Sequence, residues 1–439
     1  MENHSRKPTL CIVSQGCAAN FGEGEQIGAI FEEDYEVKFG MPLPGESPDA
    51  YVLNVCTVKG NAGALKLLRE AISAAPGAKI FISGCAPRDF QEEALQITDN
   101  ILFTDLQTLA QTNKIRRSVP QQYKHLRQSP RVGIVNIERG CLDACSYCST
   151  RLVKGRLQSF PAEEIVRQVK SLVADGCMEI QLTGQDCGCY GFDLPAENQE
   201  QTDSRGNPRN LAQLVKKILA EVPGDYRIRL GMGNPRHISK YKDALMECFH
   251  DPRVYKFIHL PVQSGSENTL QAMNRKHTAK DYLLLAKEFS ERFPLFTLST
   301  DLIVGFPGES DQDFAKTLDL LRETRPTVCN ITRFVSRPGT AASRMENTVP
   351  DAVKHRRSAE LAAAFQEIAR QNNARWIGQV ETVTVEKAGF RKGSVIARND
   401  AYRPVAIQVP DTAEYAPGKR LKVKITAAEP FALLAEILP

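Results

Sequence analysis

Three cysteines, Cys141, Cys145 and Cys148, fall within one short run, Arg139-Gly140-Cys141-Leu142-Asp143-Ala144-Cys145-Ser146-Tyr147-Cys148. A cubane iron–sulfur cluster has four iron corners and is normally held by thiolates, so a loop supplying only three leaves one iron open to another ligand. The loop follows the apolar run Val132 to Ile137, which reads as a buried strand, and strand-to-loop junctions are where barrel enzymes place their chemistry. The competing reading is a structural zinc knuckle, which needs a fourth thiolate or imidazole close by and usually shows paired C-x2-C units. No histidine lies between His125 and His237, while Cys177, Cys187 and Cys189 are available as a fourth ligand.

Apolar strand-like runs at Leu10 to Val13, Tyr51 to Val55 and Lys79 to Ile82 alternate with helical patterns, notably Ala62 to Ala75. This alternation predicts a parallel α/β domain over residues 1–118. The polar segment Ser118 to Pro130, with Pro120, Gln121, Gln122 and Lys124, has neither period and reads as a linker. From Val132 onward, strand candidates recur at Glu179 to Leu182, Ile228 to Leu230, Phe257 to Leu260, Thr297 to Val304 and Val328 to Phe334. They make about six βα units, fewer than a closed eight-fold barrel, so a partial (β/α)6 barrel is expected over 131–375, with the N-terminal domain or a substrate covering the opening. It closes with a basic helix, Asp351 to Arg375. Alternating runs such as Glu381 to Val385 and Leu421 to Ile425 predict a small antiparallel β-barrel over 376–439. The fold class is α/β.

The N-terminus Met1 to Pro8 is polar and charged rather than a signal peptide, and no apolar run approaches a membrane span, so a cytoplasmic protein without a membrane partner is expected. In that setting the 12 cysteines are ligands, redox groups or core residues rather than bridges. With 42% hydrophobic and 25% charged residues the composition is that of a globular chain, and a net charge of +4 is too small to argue nucleic-acid binding without local clustering.

Three further cysteines share one position. Cys17 in Gln15-Gly16-Cys17, Cys56 in Asn54-Val55-Cys56 and Cys85 in Ser83-Gly84-Cys85 each sit just beyond a strand candidate. The carboxyl ends of parallel strands share one edge, so the three thiols can converge there as a second three-cysteine site. Taken singly, each also reads as a small buried hydrophobe, which is how Cys11, Cys248 and Cys329 are read.

On these features the chain resembles the methylthiotransferase family of radical S-adenosylmethionine (SAM) enzymes. Supporting residues are His259-Leu260-Pro261-Val262-Gln263-Ser264-Gly265-Ser266, Asp301 to Glu309, Arg337-Pro338-Gly339-Thr340 and Tyr402-Arg403-Pro404-Val405. Gly140 to Cys145, Leu182-Thr183 with Tyr190-Gly191, and Arg229 to Pro235 look most like the archaeal and eukaryotic branch. The resemblance implies an N-terminal three-cysteine domain, a radical SAM partial barrel and a C-terminal TRAM domain. It also implies two 4Fe–4S clusters, one on Cys141, Cys145 and Cys148 and an auxiliary one on Cys17, Cys56 and Cys85. The implied reaction converts N6-threonylcarbamoyladenosine at tRNA position 37 to its 2-methylthio form, through SAM cleavage at the first cluster and hydrogen abstraction from adenine C2. By the same resemblance Tyr147 lies beside the SAM adenine, Gln185, Arg229 and Gln263 address SAM, and Val304-Gly305 back its adenine. Ordinary loop hydrogen bonding for Gln185 and Gln263, and an internal ion pair for Arg229, are the structural alternatives. Cys187-Gly188-Cys189 departs from the family pattern: an extra metal, a sulfur carrier, a redox pair or an incidental loop substitution all remain open.

Basic residues with aromatic neighbours suit phosphate attraction and base stacking. Arg391, Lys392, Arg398, Tyr402, Arg403 and Lys422 are therefore the RNA-contact candidates, with Phe390, Lys419, Arg420 and Lys424 nearby, although a solvated charged face has the same composition. The TRAM resemblance implies the tRNA anticodon loop as partner, with an electron donor and a sulfur source supplied from outside the chain. The rival functions are a methylthiotransferase for another tRNA nucleoside or a ribosomal-protein side chain, and a non-catalytic iron–sulfur or zinc RNA-binding protein.

Overall fold

A computed structural model describes residues 6–57, 60–106, 108–109, 126–194 and 208–438. The N-terminal part is a five-stranded parallel sheet in the order Glu36–Phe39, Thr9–Ser14, Ala50–Cys56, Lys79–Cys85, Ile101–Phe103. Both faces of its central strands are covered, which is why they read as near-continuous apolar runs. Tyr51, Leu53 and Val55 pack with Leu67 and Leu68 of helix Ala62–Ala74 on one side. Leu10, Ile12 and Val52 pack with Ile27 and Phe31 of helix Ala18–Phe31 on the other.

The expected linker falls largely outside the described residues, which resume at Leu126. There Arg127 pairs with Asp175 at 3.0 Å and the Gln128 amide donates to Glu25 at 3.0 Å, so the end of this segment is fastened to both neighbouring parts.

The central part holds six parallel strands in two three-stranded sheets: Val132–Asn136, Glu179–Thr183 and Arg227–Leu230, then Phe257–His259, Thr297–Val304 and Val328–Arg333. A bridge between Ile228 and Val254 and a 2.9 Å bond from the Gly233 amide to the His259 carbonyl join the two sheets. The result is the expected open six-stranded barrel, and helix Ala18–Phe31 packs across its first strand. Gly22 permits the close approach, since a Cβ there would fall 2.7 Å from Ile134 Cγ2. Beside it Lys154 and Glu23 form a buried ion pair at 2.6 Å.

The C-terminal part is a closed five-stranded barrel in the order Val380–Ala388, Ser394–Arg398, Pro404–Gln408, Leu433–Ile437, Arg420–Ala428. Its pairings are antiparallel except Pro404–Gln408 with Leu433–Ile437, which is parallel because the chain crosses through Arg420–Ala428 before returning. Among the described residues no helix is long and apolar enough to cross a membrane.

Glu25 yields a pH prediction. Burial, opposed by the Gln128 amide and Arg127, pushes its carboxyl from 4.5 up to about 7. A raised carboxyl binds more protons folded than unfolded, so stability present below the unfolded value is lost as pH rises through the folded one. Glu25→Gln should therefore melt with the parent at pH 4.5 and above it at pH 8, by roughly 3 kcal/mol at most. Thermal melts at the two pH values check this.

Candidate active site

The loop carrying Cys141, Cys145 and Cys148 leaves the first barrel strand through Gly140, whose φ of +74° suits glycine. A Cβ there would also collide with the Arg156 carbonyl. Asp143, between the first two cysteines, anchors the turn. Its carboxylate takes bonds from Asn234 Nδ2 and Arg236 Nη1, each at 2.6 Å, and meets His237 Nε2 at 3.0 Å. Burial disfavours its ionised form, but the contacts with His237, Arg236 and Arg275 outweigh burial and hold its pKa below the usual carboxylate range. From the other side Ser146 N donates to Met273 O at 3.0 Å and Asn274 Nδ2 to Ala144 O at 2.7 Å. The three thiols form no disulfide and are partly exposed on this fastened loop, with the Cys189 thiol hydrogen-bonded to that of Cys141 and Arg275 Nη1 3.5 Å from Cys145 Sγ. Three thiols on one rigid turn, with a cation against one sulfur, fit a cluster that keeps an open iron.

The second thiol set lies along one sheet edge. Cys56 and Cys85 are the last residues of neighbouring strands and directly opposite in register, while Cys17 precedes helix Ala18–Phe31. A Cβ on Gly16 would lie 2.6 Å from Cys56 Sγ, so the glycine leaves room around that sulfur. As a free thiol Cys85 is pushed up to about 12 by burial, with Lys154 opposing. This arrangement also fits a cluster. The two sets adjoin: helix Thr150–Lys154, which follows Cys148, packs against strand Lys79–Cys85. A small cavity between the two parts is lined by Ala19, Glu23, Glu138, Arg139, Lys154 and Gln185.

The residues expected around SAM divide. Tyr147 is half-buried beside Met273, Phe306 and Phe334, with Ile303 in the same group. Gln185 Oε1 accepts the Gly140 amide at 2.7 Å, so it braces the cysteine loop. Gln263 is nearly buried with φ +78°, its backbone locked to Asp301 and Ile303. Strand alternation turns the Val304 side chain with Leu298 and Leu302 into the helix-side core, while Ile303 faces the Tyr147 side. Gly305 is covered by the Lys354 side chain and its amide donates to Glu309 at 2.6 Å. The Arg229 guanidinium lies over the rings of Phe257 at 5.0 Å and Tyr402 at 5.7 Å, near the start of the barrel strands.

Cys177 and Cys187 sit in the apolar core, where they are not placed to complete a zinc knuckle. Cys189, Asp186 and His237 bring three ligand-type atoms within 4.8 Å of one another. Each is already engaged: the Cys189 thiol with the Asp186 carbonyl at 3.1 Å, His237 with Asp143, and Asp186 Oδ1 with the amides of Gly188 and Asn234. They read as the packing behind the loop.

Three RNA-contact candidates are engaged within the chain, Arg403 buried and Arg398 and Tyr402 partly buried. Tyr402, with φ +59°, enters the strand-start end of the central barrel, its hydroxyl donating to Glu179 Oε1 at 3.0 Å and its ring 4.8 Å from Tyr255 and 5.2 Å from Phe257. Arg398 stacks on that ring at 4.1 Å and pairs with Glu386. Arg403 is buried and donates to Asn373 Oδ1 at 2.7 Å. These groups spend their polar atoms on the joint between barrels. Arg391 and Lys392 remain exposed beside a Phe390 that is 95% exposed, and Lys422 is exposed on a different strand of the barrel.

Sequence reasoning missed Asp143, His237 and Arg275 as parts of the site. Asp143 alone carried a signal, an acidic residue inside the cysteine run; the others come from residues distant in sequence.

Residues 135–321 match the radical SAM superfamily, 374–438 the TRAM domain and 9–104 an uncharacterized protein family, UPF0004. The radical SAM methyltransferase TsrM from Kitasatospora setae shares the fold, with a TM-score of 0.53 at 14% identity over 77% of each chain. Fold and site thus define a radical SAM enzyme with an appended TRAM barrel. A probable threonylcarbamoyladenosine tRNA methylthiotransferase from Archaeoglobus fulgidus is 33% identical over 95% of both chains. One from Pyrococcus abyssi is 34% identical over 92% of this chain and 95% of its own, and the Drosophila melanogaster protein of that name is 30% identical over 97% of this chain and 77% of its own. The chain belongs to the methylthiotransferase family of radical SAM enzymes.

The joint between barrels can be tested by melting. Tyr402→Ala should destabilise by about 3–5 kcal/mol, the range for deleting a well-packed aromatic side chain. Phe390→Ala, which removes an exposed ring, should melt with the parent. Equal Tm for parent and Tyr402→Ala would contradict the assignment.

Proposed function

We propose that this chain is a cytoplasmic tRNA methylthiotransferase that converts N6-threonylcarbamoyladenosine at position 37, in the anticodon loop, to its 2-methylthio derivative. The observation carrying this reading is that two three-thiol sets lie on adjoining parts of the chain, the helix Thr150–Lys154 that follows Cys148 packing against the strand that ends in Cys85. The names of the archaeal and insect relatives support the choice of nucleoside. In this reading Cys141, Cys145 and Cys148 hold one 4Fe–4S cluster, and Cys17, Cys56 and Cys85 the auxiliary one. When bound, the first would supply reductive cleavage of SAM and the second a site for the sulfur to be transferred.

The chain's own residues then do the positioning. Asp143, held by Asn234, Arg236 and His237, fixes the first cysteine turn, and Gln185 fixes its entry at Gly140. The buried Lys154–Glu23 pair ties the two parts together beside Cys85 and gives the cavity a fixed dipole. Val304 and its neighbours keep the helix side of the barrel dry. Exposed Arg391, Lys392 and Lys422 offer phosphate contacts and Phe390 a stacking ring on the C-terminal barrel. An electron donor and a sulfur source act from outside the chain.

Anaerobic reconstitution with iron and sulfide, followed by mass spectrometry of nucleosides after incubation with SAM, dithionite and threonylcarbamoyl-modified tRNA, tests this. The parent should give the 2-methylthio nucleoside and 5′-deoxyadenosine. Cys145→Ala should give neither, and Cys56→Ala 5′-deoxyadenosine alone. Deoxyadenosine without modified tRNA from the parent would contradict the substrate. Neither product from cluster-replete parent protein would favour a non-catalytic RNA-binding protein.

A further inference from the structure

Arg275 lies just past helix Glu267–Ala272, in the segment that grips the cysteine loop. One guanidinium nitrogen, Nη1, sits 3.5 Å from Cys145 Sγ. The other, Nη2, donates to the Pro261 carbonyl at 2.6 Å and to Asn234 Oδ1 at 3.3 Å. Nε is buried without a partner. The carboxylates in its neighbourhood are committed to other partners: Asp143 to Arg236 and His237, Asp186 to the amides of Gly188 and Asn234, and Asp301 to His259 and Asn330. A largely desolvated cation requires compensation, and neutral carbonyls supply only part of it. The atom its remaining N–H group reaches is a sulfur of the cysteine loop.

A cubane held by three thiolates carries more negative ligand charge than its oxidised core offsets, and each electron added makes it more negative. Hydrogen bonds to cluster sulfurs and nearby charge are among the factors that set the reduction potential. We propose that Arg275 is the built-in counter-charge of the cluster on Cys141, Cys145 and Cys148, raising its reduction potential through the N–H···S contact to Cys145. This rests on the cluster reading of those cysteines. The step concerned is transfer of one electron from a low-potential donor, dithionite in vitro, to the oxidised cluster. No bond forms or breaks at Arg275 and its proton stays in place. Arg275 acts through Cys145 and is a positioning residue.

The test is an EPR-monitored redox titration, without SAM, of the full chain carrying Cys17→Ala, Cys56→Ala and Cys85→Ala, so that one cluster remains. Parent, Arg275→Gln and Arg275→Lys are compared at equal iron content. At the potential where the parent is half reduced, Arg275→Gln should show an at least tenfold smaller ratio of reduced to oxidised cluster, equivalent to about 59 mV for a one-electron couple. Arg275→Lys, which keeps the charge but not the planar fork, should fall between, with at least a twofold drop. A parent without any cluster would sink the cluster reading itself. A cluster-replete Arg275→Gln that titrates with the parent would overturn the role of Arg275, as would a shift seen only when SAM is added, which would make Arg275 a SAM contact. Should Arg275→Gln not retain iron, the Arg275→Lys titration decides by the same comparison.

Discussion

The packing of helix Ala18–Phe31 against strand Val132–Asn136 is the contact on which the rest of the structure depends. Cys17 immediately precedes that helix, and that strand leads into the loop of Cys141, Cys145 and Cys148. Each thiol set is positioned within its own sheet, and this contact, with helix Thr150–Lys154 against strand Lys79–Cys85, sets the two sheets side by side. Two sequence choices make it possible. Gly22 removes the side chain that would strike Ile134. Glu23 meets Lys154 in a buried pair, where removing either partner would strand a charge.

The two ends of the central barrel are used differently. At the carboxyl ends of its strands lie the loop of Cys141, Cys145 and Cys148 and, lining the cavity, Glu138, Arg139 and Gln185, as expected for parallel βα architectures. At the opposite end Tyr402 plugs the interior, with Glu179, Gln181, Tyr255 and Phe257 around it. Asp400 adds a bond to the Lys256 amide and an ion pair to Arg227. The C-terminal barrel is thereby fixed to the base of the catalytic part while its Arg391–Lys392 turn stays in solvent.

Much of this was legible because strand periodicity and cysteine spacing are local signals. The run Leu10 to Val13 lies inside strand Thr9–Ser14, and Lys79 to Ile82 opens strand Lys79–Cys85. The six central strands appear where their apolar runs predicted them. Cys56 and Cys85 end their strands rather than following them, shifts of one and three residues that leave them on the same edge. The fates of Arg398, Tyr402 and Arg403 were not legible. A basic residue with an aromatic neighbour has the same composition whether it meets a phosphate or, as here, Glu386 and a ring of its own chain. Within the motif around Val304 the side chains divide, since alternation sends Val304 and Ile303 to opposite faces. Asp143, His237 and Arg275 meet across more than ninety residues of sequence, a pairing no local pattern encodes.

The central claim is that two clusters form on adjoining parts of the chain, and magnetic coupling between them tests it most directly. EPR of the anaerobically reconstituted and fully reduced chain should show a spectrum broadened by spin–spin interaction. That broadening should vanish when either Cys17, Cys56 and Cys85 or Cys141, Cys145 and Cys148 are replaced by alanine. A parent spectrum equal to the sum of the two single-cluster spectra would contradict the account.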